Sequence, residues 1–353
     1  MVYIRLFSYC IFDSMNAHSD MALEGGLANA MGRTVLVTGA CGFLGAHLCQ
    51  RLVDTGDHVV ALTRRERVSS PLHVLGLSKR VTIAQGDVRQ LSLLRRLVDE
   101  HEVTAIVHLA GQPLPQGSLS NPISSFEANI ASAWSVLEAA RGSTAMHSIV
   151  MLSSAHVYSQ PAQSMVATCI GENDVGTNLG PYAAGKRCAE VLAESYRVSF
   201  DIPVVVLRLA NVYGPADPHR TRLIPNAIDS IIDGLPVTVH GDGSQVLDLL
   251  HVDDAVDGIM SVISYGSELQ DTVYNLGSGY HTTVHDVVAA FRSATAGPVA
   301  VEYGSIEAAP AIVLDVGKLT RAVGFRPKRT LVDGIAATLA AERILRAEAS
   351  HWR

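Results

Sequence analysis

From Thr34 onward, short β-branched apolar runs alternate with segments of helical length, and this alternation limits the chain to very few folds. The runs include Thr34-Val35-Leu36-Val37, His58-Val59-Val60-Ala61-Leu62, Arg80-Val81-Thr82-Ile83, Ala105-Ile106-Val107-His108-Leu109, Ser148-Ile149-Val150-Met151-Leu152 and Val204-Val205-Val206-Leu207. Continuous apolar runs of this length fit strands covered on both faces. Leu44 to Asp54 and Ser124 to Arg141 are helical in length and pattern. Strand–helix alternation of this kind predicts an α/β fold: a Rossmann-type, doubly wound parallel sheet with right-handed crossovers. After about residue 210 the elements shorten and Pro, Gly and Asp become frequent, which predicts a smaller C-terminal lobe. Thr272-Val273-Tyr274-Asn275-Leu276 still reads as a strand, so the chain is expected to return to the main sheet there. The expected division is 1–31 as an extension outside the fold or a start-site artefact, 32–210 as the dinucleotide-binding domain, and 211–345 as mainly the substrate lobe.

Thr38-Gly39-Ala40-Cys41-Gly42-Phe43-Leu44-Gly45 follows the first strand and opens the first helix. Glycines at 39, 42 and 45 allow a tight turn, close backbone approach to a pyrophosphate, and tight helix–strand packing. The free N–H groups of the helix start then face the phosphates. Glycine spacing alone is weak evidence, since a glycine-rich turn needs no ligand; its place between a strand and a helix gives it weight. The second strand ends in Thr63-Arg64-Arg65, where an acidic residue would hold a ribose 2′-hydroxyl. Two guanidinium groups suit a 2′-phosphate instead, so NADP is favoured and NAD is the alternative. Asp87 is placed to accept from an adenine amino group, and Leu109-Ala110-Gly111 to pass beneath the phosphates.

Pro181-Tyr182-Ala183-Ala184-Gly185-Lys186 begins a helix and sets Tyr182 and Lys186 on one face. A phenol near pKa 10 is a poor acid–base group at neutral pH, and a nearby cation favours its ionised form. The chain has four lysines and ten tyrosines, so a Tyr-x-x-x-Lys pair has a chance expectation of roughly 0.1. Ser154, in Ser153-Ser154-Ala155-His156-Val157-Tyr158 after the fifth strand, is placed to bond the substrate oxygen that Tyr182 protonates, although Ser-Ser by itself is ordinary turn chemistry. The candidate catalytic set is therefore Ser154, Tyr182 and Lys186.

Taken together with Gly86-Asp87 and Leu207-Arg208-Leu209-Ala210-Asn211-Val212-Tyr213-Gly214-Pro215, these motifs resemble the extended short-chain dehydrogenase/reductase family over about residues 32–340. That family includes nucleotide-sugar epimerases, 4,6-dehydratases and ketoreductases. The resemblance implies further cofactor contacts at Phe43, Leu44, Val88, Asn129 and Ala210, substrate contacts at Gln112, His156 and Asn211, and a homodimer. The dehydratases carry an acidic pair after the catalytic Ser/Thr; here Ala155 and His156 stand there, which argues against elimination chemistry. His156 is a candidate substrate contact, although a turn histidine is commonly structural. Arginines suited to NADP imply a consumed reductant, so a 4-ketoreductase of a nucleotide-linked keto-deoxy sugar ranks first and a 4-epimerase second. A dinucleotide-sensing protein without catalysis is the third reading. Leu247 replaces an arginine that the family commonly uses on substrate phosphates, and a second arginine is absent before Asp315. Arg220 and Arg222 are the candidates to replace them.

The net charge of −7 supplies no basic stripe for nucleic acid, no metal-like ligand spacing appears, and no apolar run is long enough to span a bilayer. Five scattered cysteines read as reduced thiols, which fits a cytoplasmic protein.

Overall fold

The computed structural model describes residues 32–112, 115–158, 168–177, 179–295, 297–305 and 312–351, so the expectation for residues 1–31 lies outside the described residues. Seven strands form one parallel sheet: β1 (Thr34–Thr38), β2 (His58–Thr63), β3 (Thr82–Gln85), β4 (Ala105–His108), β5 (Ser148–Ser154), β6 (Val204–Leu209) and β7 (Val273–Leu276). Their order is β7-β6-β5-β4-β1-β2-β3. The third strand starts two residues later than its sequence run, and Val273–Leu276 pairs in parallel with β6.

The alternation of side chains along each strand divides the interior into two cores. Val35, Val37, Val59, Ala61, Val150, Val205 and Leu207 pack on the side of helices α1 (Phe43–Asp54) and α5 (Val252–Tyr265). Leu36, Val60, Leu62, Ile149, Met151, Val204 and Val206 pack on the side of α2 (Leu91–Glu100), α3 (Ser132–Ala140) and α4 (Pro181–Phe200). Because each strand carries apolar side chains on both faces, its sequence is a continuous apolar run, as expected of a doubly wound sheet.

A separate core joins Ile224 and Ile228 to Val237, Val239, Phe291, Ile335 and Leu339, and makes the smaller lobe. The division is not a simple cut at residue 210, since both α5 and β7 rejoin the sheet. Leu247 faces Thr282 in a two-residue antiparallel pair and packs against this lobe core. Cys41, Cys49 and Cys188 carry free thiols. Among the described residues no helix is long and apolar enough to cross a membrane, and no cluster of His, Cys, Asp or Glu is arranged to hold a metal.

Candidate active site

The strand order reverses between β1 and β4, and a cleft of about 1200 Å³ opens at the carboxyl ends of the strands there. At its centre lies the glycine turn. Gly39 has φ +71°, and a Cβ on it would come within 2.8 Å of the Ala110 amide. A Cβ on Gly45 would meet the Gly39 carbonyl oxygen at 2.4 Å. Both positions require glycine, the first for a left-handed turn and the second for contact of helix on loop. Helix α1 starts at Phe43 with Gly42 as its N-cap and no capping side chain, so its first N–H groups are left for an anion.

From this turn the cleft extends in two directions. One arm is lined by Thr63, Arg64, Arg65, Asp87 and Val88, together with Arg67, Ser69 and Ser70, which sequence reasoning missed. The Thr63 hydroxyl donates to the Arg65 carbonyl at 3.0 Å, pinning the bend that carries the arginines. Asp87 lines the cleft and is paired within the protein. Arg89 donates to both its oxygens, at 3.0 and 2.7 Å, and holds its pKa below the usual carboxylate value. The floor between the arms is Leu109, Ala110 and Gly111.

The other arm contains Ser154, Tyr182, Lys186, Gln112, His156, Ala210, Asn211 and Arg222. Pro181 at the first position of α4 fixes where that helix starts, and the helical repeat then stacks Lys186 one turn beyond Tyr182. Lys186 Nζ donates to the Leu152 carbonyl of β5 at 2.8 Å, and burial lowers its pKa to about 8. Burial also raises the Tyr182 pKa; the groups that pull it back are the Ser154 hydroxyl and the Arg222 charge. His156 lies edge-on to the Tyr182 ring, with centroids 5.6 Å apart, and its Nδ1 is 3.0 Å from Ser154 Oγ. Desolvation keeps the His156 imidazole below its ordinary pKa.

Asn129 stands behind Gly111 rather than on the cleft wall. It belongs to a π-helical turn, Glu127–Ala131, inserted between two α-helical segments, a type of irregularity found often at functional sites. Its buried Oδ1 has no partner, and a Cβ on Gly111 would meet that oxygen at 2.7 Å and Lys186 Nζ at 3.6 Å. An orphaned buried acceptor beside the lysine calls for a donor at this point.

The two lobe arginines separate. Arg220 lies outside the cleft lining: Nε donates to Asp229 at 2.8 Å, and Nη1 lies 3.2 Å from Glu342. Its expected role as a substrate contact is corrected to a structural ion pair. Arg222 lines the cleft, 3.0 Å from Asp217, with Pro218 and His219 as neighbours that the sequence did not single out.

A glycine-lined phosphate turn with free helix N–H groups, and a buried Tyr/Lys/Ser group at the switch point, fit a nicotinamide dinucleotide. The fold and cleft define a Rossmann-type oxidoreductase class. The NAD dependent epimerase/dehydratase family matches residues 35–277, more than half of the chain, and the protein belongs to that family. It is accordingly an enzyme of the extended short-chain dehydrogenase/reductase type, from an NAD-dependent family.

The chain is 30% identical to the dTDP-glucose 4,6-dehydratase of Streptomyces griseus, over 87% of this chain and 93% of that one. It is 30% identical over 72% of its length to a trifunctional UDP-glucose 4,6-dehydratase/3,5-epimerase/UDP-4-keto-L-rhamnose reductase of Arabidopsis thaliana, and spans only 38% of that protein. The crystal structure of the dTDP-glucose 4,6-dehydratase of Streptomyces venezuelae, with NAD bound, superposes with a TM-score of 0.76 at 26% identity, covering 89% of this chain and 98% of the other.

Proposed function

We propose that the protein is an NADP-dependent 4-ketoreductase acting on a nucleotide-linked 4-keto-(6-deoxy)hexose. The observation that carries this reading is the cofactor arm of the cleft: Arg64, Arg65 and Arg67 line it, and its one aspartate, Asp87, is already bonded to Arg89. Guanidinium groups recognise a 2′-phosphate in a forked, charge-assisted geometry that a ribose hydroxyl cannot match. Ala155 and His156 add the second argument, because no carboxylate stands beside Ser154 to drive elimination. The Arabidopsis relative includes a UDP-4-keto-L-rhamnose reductase among its activities, which is consistent with a reductive role.

When bound, the dinucleotide supplies the hydride. The residues of the chain do the rest. Tyr182 holds the proton delivered to the carbonyl oxygen as negative charge develops there, acting as general acid. Ser154 gives the same oxygen a fixed hydrogen bond, which is worth most when that oxygen is charged. Lys186, anchored on Leu152, presents a cation to the nicotinamide end of the cleft, and Asn129 lies behind it. Arg222, with Asn211 and Gln112, receives the substrate, Arg222 meeting a phosphate.

A 4-epimerase with recycled cofactor is the second reading, favoured by 29% identity to the UDP-glucose 4-epimerase of Mycolicibacterium smegmatis over 86% of this chain and 96% of that one. Incubating the enzyme with NADPH and UDP-4-keto-6-deoxyglucose separates the two. Stoichiometric loss of NADPH absorbance supports the reductase. Interconversion of UDP-glucose and UDP-galactose without net cofactor loss assigns the epimerase.

A homodimer is part of the proposal. Ile123, Phe126, Trp134, Val191, Val198 and Phe200 are exposed on the helices around residues 122–140 and on α4, which pack beside one another. A second copy would cover this apolar surface.

A further inference from the structure

Ser154 makes an unusual set of hydrogen bonds for a residue assigned to the substrate oxygen. A hydroxyl has one hydrogen to donate and two lone pairs with which to accept. Ser154 Oγ accepts the backbone N–H of His156 at 3.3 Å, and His156 Nδ1 sits 3.0 Å from the same oxygen. That second contact has two possible directions with opposite consequences. If Nδ1 is bare, the only hydrogen of Ser154 points at it, and none remains for Tyr182 or for a substrate. If Nδ1 carries the proton, His156 fills the second lone pair and the serine hydrogen is turned away from the imidazole. The assignment of Ser154 to the substrate oxygen needs that hydrogen free, which requires the second direction.

We propose that His156 is a positioning residue: locked in the Nδ1–H tautomer, it saturates the lone pairs of Ser154 Oγ and so aims the single serine hydrogen at Tyr182 and the substrate oxygen. The geometry around the ring supports this. Ser154 caps the short 3₁₀ turn Ala155–Val157, which brings the imidazole back over its own cap residue. Edge-on contact with the Tyr182 ring limits its rotation. The side chain that fixes the serine rotor is thus itself held by the residue that the serine serves.

One consequence concerns substrate choice. With Nδ1 protonated, Nε2 is a lone-pair acceptor on a residue lining the cleft, suited to a hydroxyl donor on the carbon next to the carbonyl. An acidic residue at position 156 would do the reverse of what the histidine does. It offers only acceptors, and it draws the Ser154 hydrogen toward itself. The proposal rests on the assignment of Ser154 to the substrate oxygen, but the tautomer is measurable without turnover.

The experiment is a long-range ¹H–¹⁵N spectrum of histidine-labelled full-length protein at neutral pH, saturated with NADP⁺ or NAD⁺, whichever binds more tightly. The spectrum of His156→Gln identifies the His156 signals among the fourteen histidines. A protonated Nδ1 with a bare Nε2 is the expected result; an Nε2–H tautomer overturns the proposal. Single-turnover rates supply the second readout. His156→Asn keeps a side-chain donor and should stay within about threefold of wild type, whereas the near-isosteric acceptor His156→Asp should lose roughly tenfold or more with cofactor affinity unchanged. Equal losses in both variants reduce His156 to a structural role. Absence of any NADPH oxidation by wild type refutes the reductase reading instead, and leaves the measured tautomer to decide this one.

Discussion

Arg208 and Glu190 form a two-point ion pair in the interior: Nε to Oε1 at 2.9 Å and Nη2 to Oε2 at 2.8 Å, with neither residue more than 2% exposed. The pair ties β6 to α4 one turn beyond Lys186. Ser153, adjacent to Ser154 on β5, donates to the same carboxylate at 2.5 Å, and Arg208 Nη1 donates to the Tyr158 hydroxyl at 2.9 Å. One buried carboxylate thus fixes the strand end carrying Ser154 against the helix carrying Tyr182 and Lys186.

Arg208→Met removes the two-point partner of Glu190 and leaves the buried carboxylate to the single contact of Arg187 at 2.8 Å and the Ser153 hydroxyl. Breaking a buried pair costs up to about 3–5 kcal/mol, and because Arg187 still compensates part of the charge the expected loss is about 2–3 kcal/mol. Urea unfolding of wild type and variant measures this. A loss under about 1 kcal/mol would mean that solvent reaches Glu190 and that the pair does not organise the site.

Arg64 and Arg65 are expected to set cofactor choice. The double variant Arg64→Ala/Arg65→Ala should weaken NADP(H) binding by roughly tenfold or more and leave NAD(H) almost unchanged, since only the former offers a phosphate to the guanidinium groups. Wild-type affinity for NADP(H) should also fall with added salt. Fluorescence titration of both dinucleotides checks this; an NAD(H) preference that survives the double substitution moves the assignment to the epimerase.

His108 gives the fold an acid limit. It accepts from Thr38 Oγ1 at Nδ1 (2.8 Å), its Nε2 lies 3.1 Å from Ser132 Oγ, and Ser132 donates to the Ala128 carbonyl, so a neutral imidazole links β1 and β4 to the π turn. Burial, followed by the Lys186 charge, lowers its pKa to about 3. A folded pKa below the unfolded one means that the unfolded chain binds the proton first. The contribution of His108 to stability is therefore complete above pH ~6.5 and is lost as the pH falls toward 3, on the order of 5 kcal/mol in all. Denaturation midpoints measured between pH 7 and 4 should fall less steeply for His108→Gln than for wild type. Parallel slopes would show that His108 is not held neutral.

The sheet, its strand order class, the glycine turn and the Tyr182/Lys186 pair are legible in the sequence because each is written in local spacing: apolar runs, glycines at three offsets, two residues one helical turn apart. What escaped depends on distant partners. Arg220 and Arg222 are two residues apart and chemically alike, yet Asp229 and Glu342 draw the first out of the cleft while Asp217 leaves the second on its wall. The π turn around Asn129 lies inside what reads as one helix from Ser124 to Arg141, since a single inserted residue leaves the apolar pattern nearly intact. Lys186 binds the Leu152 carbonyl, 34 residues away in sequence, a contact that no local spacing announces. Arg67 was readable, as it stands in the same arginine-rich run as Arg64 and Arg65.

The central claim is that Tyr182 delivers the proton during carbonyl reduction. Single-turnover reduction of UDP-4-keto-6-deoxyglucose by enzyme loaded with NADPH, followed at the nicotinamide absorbance, tests it most directly. Tyr182→Phe keeps the ring and removes the acidic proton, so it should slow the observed step by roughly a hundredfold or more while cofactor affinity stays within about twofold. A Tyr182→Phe enzyme that reduces the substrate at the wild-type rate would contradict the account.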